Sequence, residues 1–153
     1  MKRVELWAIG IGILAGIGFL TVEPGYAEDG AKKCSLATLN GQYLFAGSGT
    51  LFPPAFGLVK SSVGNSAGYH IFNGDGTGTD VVTFVVNGVN QNVPSPVAIT
   101  YTLNADCTGT YTVQAGPHFN IFVALDGNSL TVIDTDPGVA ISEGPDFRVQ
   151  SSR

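Results

Sequence analysis

The stretch FNGDGTGTD, residues 72–80, has the oxygen spacing of a metal-binding loop. Asn73, Asp75, Thr77 and Thr79 offer a side-chain oxygen at every second position, and Gly78 stands where an EF-hand loop bends. Such a loop closes on a bidentate Glu at its twelfth position, but counting from Asn73 that position is Phe84. Asp75, Asp80 and loop carbonyls are the calcium alternative that remains. A phosphate cradle needs a helix N-terminus after the glycines, and here a β-rich run follows.

The same pattern recurs further along. FNGDGTGT at 72–79 aligns without gaps on LNADCTGT at 103–110, sharing Asn, Asp, Thr, Gly and Thr. Both copies lie between β-rich runs. Asn and Asp serve a bend through side-chain hydrogen bonds, Gly supplies positive φ, and Thr restarts a strand. The repeat therefore reads as two related hairpin turns.

The two histidines are the titratable candidates. His118 shares an alternating face with Asn120 and Phe122. With that face toward an apolar lumen, His118, Asn120 and Tyr43 become the polar contacts of a bound molecule, with Tyr101 and Phe122 beside them. His118 is also the candidate general base. The alternative leaves His118 exposed at a strand start, directly after Gly116-Pro117, and the aromatics in the core. His70, in GYHIF, reads as a half-buried strand histidine. No local spacing joins His70, His118 and Asp134 into a metal set, so neither metal nor cofactor is expected. The chain has no Gly-x-Ser-x-Gly elbow. Asp126, Asp134, Asp136 and Asp146 sit beside turn signals, where Asp serves the backbone.

These residues need a scaffold, and the period of the chain supplies it. VAITYTLN alternates cleanly, with Val97, Ile99, Tyr101 and Leu103 on one face. TYTVQ puts Tyr111 and Val113 inward. DVVTFVVN and HFNIFVAL are apolar on both faces, as a greasy lumen or a neighbouring subunit requires. With GQYLFAGSG, AGYHIF, SLTVIDT and DFRVQ, about eight short strands are expected. The fold class is all-β: a small antiparallel barrel, closed or nearly so, with a β-sandwich as the alternative. LFPPAFGLVKSSVGNS, 51–66, reads as a long loop at the barrel mouth.

Lys2, Arg3, the apolar run Leu6–Val22 and the small residues flanking Tyr26 form a secretory signal pattern, with cleavage expected after Ala27. An uncleaved anchor is the alternative; after cleavage no stable membrane span is expected. Residues 28–153 then make one domain. The net charge of −5 is unchanged by cleavage, because the leader carries Lys2 and Arg3 against Glu5 and Glu23. So acidic a chain has no footprint for nucleic acid. In a secreted or periplasmic protein, Cys34 and Cys107 form one disulfide by default.

The chain resembles a group of uncharacterised secreted bacterial proteins that share C-x-x-x-x-L-x-G-x-Y-x-F, here Cys34, Leu39, Gly41, Tyr43 and Phe45, with GDGTGT and DCTGT turns. That resemblance implies no activity. More distantly it is similar to calycin-type barrels such as lipocalins, with Gly41-Gln42-Tyr43 and Arg148 in the places of the first-strand motif and the basic residue packed on it. It also resembles the barrels of the allene oxide cyclase and dirigent type in architecture. The expected function is binding of a small apolar ligand in the lumen. An enzyme guiding cyclisation or isomerisation is the second expectation, and a structural or surface-assembly protein, as a homo-oligomer, the third.

Overall fold

Alternation of buried and exposed side chains runs through nearly every strand of the computed structural model, which describes residues 33–114 and 116–149. The expected leader, 1–27, lies outside the described residues. The strands are β1 (Asn40–Leu51), β2 (Ser62–Asn73), β3 (Thr77–Val86), β4 (Val89–Asn90), β5 (Val97–Leu103), β6 (Thr108–Val113), β7 (His118–Val123), β8 (Ser129–Asp134) and β9 (Val139–Arg148). Eight of them form a closed antiparallel barrel in chain order, with β9 pairing back onto β1. β4 lies outside the ring, paired only with β3. Closure leaves no long open edge, which is how a small β protein avoids edge-to-edge association.

All eight strands read from the sequence are present, but the loop after β1 is shorter than expected. It covers 52–61, and the Ser/Gly/Asn run from Ser62 belongs to β2. That run alternates: Ser62 and Ser66 are buried, and Val63 and Asn65 are exposed. Small residues suit an inner face where strands curve. A Cβ on Gly47 would fall 2.5 Å from Glu143 Cγ and 2.7 Å from Ser66 Oγ.

The barrel has two unlike ends. One is closed by the turns at 74–76, 104–107 and 124–128 and by the single helical turn Leu36–Thr38. The twin turns are built alike. Asp75 Oδ1 accepts from Thr77 N at 2.9 Å and Thr77 Oγ1 at 2.6 Å; Asp106 Oδ1 accepts from Thr108 N at 3.1 Å and Thr108 Oγ1 at 2.7 Å. Asn73 and Asn104 each donate to the same threonine, Thr77 and Thr108. Cys107 takes a positive φ of 69° where the first copy has Gly76, and it carries the disulfide to Cys34. The core at this end contains Leu39, Tyr43, Phe72, Ile99, Tyr101 and Ile121.

Arg148 lies over Gly41 and donates from Nη2 to the Asn40 carbonyl oxygen. Among the described residues no helix is long and apolar enough to cross a membrane.

Candidate functional site

The open end carries the segments 52–61 and 135–138, the β4 segment 87–96 and the turn residues 116–117, and beneath them lies a cavity of about 310 Å³. Its walls are apolar, with Val82, Phe84, Val97, Val113, Phe119 and Ile141 among them, and Phe56 reaches it from the 52–61 loop. Three carboxylates line it as well: Asp80, Asp134 and Glu143. Among the described residues no lysine, arginine or histidine does.

Below the cavity, the lumen holds a buried polar cluster that separates it from the closed-end core. His70 on β2 pairs directly with Asp80 on β3, and Asp80 Oδ1 stands 3.2 Å from His70 Nδ1. On the other side of the ring, Nε2 faces Glu143 Oε2 at 3.6 Å and Asp146 Oδ2 at 3.7 Å. Phe45 stacks on the imidazole at 4.3 Å with planes 8° apart, and Tyr111 meets it edge-on at 5.3 Å. Ser66 Oγ donates to Glu143 Oε1 at 2.9 Å. His70 and Asp146 are fully buried, and Asp80 and Glu143 nearly so.

A bulge in β9 makes this cluster. Leu130 pairs with Asp146 and Val132 with Glu143, so β9 holds one residue more than β8 over the same stretch. On a regular strand, residues three apart face opposite sides. The extra residue at Gly144-Pro145, with Gly144 at φ 112°, turns both Glu143 and Asp146 inward.

Burial by itself pulls the His70 pKa down, but the Asp80 and Glu143 carboxylates beside it more than reverse that and raise it to about 9. Asp146 is pushed up to about 7, first by burial; His70 works against the rise, while Glu143 and Asp80 add to it. Asp134 rises to about 6, chiefly through burial. The Tyr111 phenol is raised well above its usual value by burial and then by Glu143, Asp80 and Asp146.

Several residues singled out in the sequence lie elsewhere. β7 turns Phe119, Ile121 and Val123 inward, so His118, Asn120 and Phe122 face out. His118 bonds Asp136 Oδ1 at 2.9 Å on the surface and is largely exposed. Tyr43 and Tyr101 are buried in the closed-end core, where backbone carbonyls take their hydroxyls: Gly127 for Tyr43, Leu36 and Leu39 for Tyr101. None of the five lines the cavity. Asp80 is buried in the lumen, whereas Asp75 is spent on its exposed turn. Asp126 and Asp134 do accept turn hydrogen bonds, but Asp146 does not sit in a turn at all.

Alternation leaves Glu143 unnamed and gives Asp146 only a turn role, because it is the bulge that brings the two together. Gly-Pro inside a strand was the available signal. His70, expected to be half-buried, is fully buried, and the hairpin about 74–76 places Asp80 opposite it. Comparison of the chain with protein-family models, curated proteins and solved structures yields no match.

Proposed function

We propose that the barrel binds a small, largely apolar molecule in its lumen, with a polar end that donates hydrogen bonds or carries positive charge. The cavity carries this reading: its volume of about 310 Å³ falls at the lower end of the range for small-molecule sites. Apolar walls favour a greasy body by excluding it from water. Asp80, Asp134 and Glu143 set the other end, and with no basic residue in the described lining an anionic head meets repulsion from them. The polar handles are therefore these carboxylates and not His118, Asn120 or Tyr43. The disulfide fits export to an oxidising compartment, secreted or periplasmic, which forms part of the same proposal.

The test is displacement of a neutral apolar dye, Nile red, by octylamine, octanol and octanoate at neutral pH. The amine displaces at the lowest concentration and octanoate at the highest. Failure of the dye and all three probes to bind, or preference for octanoate, overturns the proposal.

The floor of the cavity favours one further reading. Glu143 and Asp80 are buried carboxylates on the cavity lining, where an enzyme that guides cyclisation or isomerisation would need its acid–base groups. Chromatography separates the two readings, since a binder returns its loaded molecule unchanged and an enzyme returns an isomer of different retention.

A further inference from the structure

The cluster beneath the cavity is built unlike a hydrogen-bonded core. Glu143 Oε2, both Asp146 oxygens and His70 Nε2 make no hydrogen bond, while His70 Nδ1 and Asp80 Oδ1 meet only as an ion pair at 3.2 Å. Buried polar atoms are ordinarily partnered, because leaving one unpaired costs on the order of a lost hydrogen bond. Here His70 Nε2, Glu143 Oε2 and Asp146 converge on one point. The separations of 3.6 and 3.7 Å from His70 Nε2 to Glu143 and Asp146 are too long for hydrogen bonds. They are close to the edge of a tetrahedron around an ion with bonds of about 2.0–2.2 Å, roughly 3.4 Å. One donor atom from each of His70, Glu143 and Asp146 lies within 4.8 Å of the other two.

The geometry points to a divalent metal site of the zinc type, with His70 Nε2, Glu143 Oε2 and an Asp146 oxygen as ligands. Groups outside the ligand set support it. Asp80 faces the opposite ring nitrogen at 3.2 Å, where a carboxylate fixes the tautomer of a metal-bound histidine. Ser66 holds Glu143 by Oε1 and leaves Oε2 free to coordinate. Phe45 clamps the imidazole plane. One nitrogen and two oxygens form a borderline donor set, suited to zinc and its transition-metal neighbours rather than to calcium, which takes six to eight oxygens. Glu143 belongs to both the ligand set and the cavity wall, so the ion lies directly behind the cavity floor. The site shares Glu143 with the ligand proposal but does not rest on it, since its donors are in place whether or not the cavity is filled.

The experiment is calorimetric titration of the EDTA-stripped protein with zinc chloride, paired with the visible spectrum of the cobalt(II) form. A single ion per chain is expected, with the intense absorption of four-coordinate cobalt. Glu143→Gln and Asp146→Asn each weaken zinc binding at least about 100-fold, and Ser66→Ala, which removes only an orienting hydrogen bond, by about 10- to 100-fold. His118→Gln leaves it unchanged. Should Asp146→Asn fail to fold, Glu143→Gln and the cobalt spectrum of the unaltered protein decide. Absence of zinc binding, six-coordinate cobalt, or loss of binding in His118→Gln with retention in Glu143→Gln overturns the site.

Discussion

Glu143 and Asp146 stand three residues apart on β9, yet both side chains are buried inside the barrel. Their common direction follows from one extra residue at Gly144-Pro145. Without that residue one carboxylate would face solvent, and the lumen would lose half of what confronts His70 Nε2.

Gly144 is the position to test. Its φ of 112° is one that L side chains rarely adopt, and a Cβ there would stand 3.1 Å from the Leu130 carbonyl oxygen. Gly144→Ala should therefore destabilise the fold by about 1–3 kcal/mol in urea unfolding. A change within about 0.5 kcal/mol, the range of ordinary surface substitutions, would show that the bulge is not held by this glycine.

The pH dependence of stability has an unusual sign. His70, raised from 6.5 to about 9, and Asp146, raised from 3.8 to about 7, both bind protons more tightly folded than unfolded. Stability must then fall as pH rises. The His70 share is whole below about pH 6.5 and gone above about 9, and is on the order of 3 kcal/mol. The Asp146 burden is absent near pH 4 and complete above about 7. Urea midpoints measured in EDTA should drop steadily from about pH 5 to 9, with the lower limb flattened in Asp146→Asn. A midpoint that climbs over this range contradicts the buried cluster.

The outer and lower residues should be silent in ligand binding. Tyr43→Phe leaves the Gly127 carbonyl without its buried donor and costs about 1 kcal/mol of stability, while Nile red binds as before. His118→Gln should change neither. Val97→Trp, on the cavity wall opposite Asp80, should weaken the dye at least about 10-fold, or roughly 1.4 kcal/mol. Equal binding by Val97→Trp, or loss in His118→Gln, would move the site out of the lumen.

The closed end depends on a covalent tie. Cys34 and Cys107 are 73 residues apart in sequence, and loss of a closed loop of that length costs about 4 kcal/mol in the chain-entropy account. Replacing both cysteines by serine should lower the thermal midpoint clearly while the cavity end retains its dye affinity. An unchanged midpoint would leave the disulfide without a stabilising role.

The barrel was legible because strand alternation and paired turns are local signals. VAITYTLN does turn Ile99 and Tyr101 inward, and the Asn-x-Asp-x-Thr turns are duplicated bond for bond. The site was not, for two physical reasons. HFNIFVAL is apolar on both faces, so period alone does not choose between the His118 face and the Phe119 face; the burial of Phe119 at the cavity wall and of Ile121 in the core does. Glu143 and Asp146 break the two-residue period through a bulge, and a reading by alternation assigns them opposite sides.

The most direct measurement is methyl NMR of the protein with bound octylamine. Nuclear Overhauser contacts should run from the alkyl chain to the methyls of Val82, Val97, Val113 and Ile141, all on the cavity wall. Contacts confined to the outer face near Ile133, or none at all under saturating amine, would contradict a ligand-binding lumen.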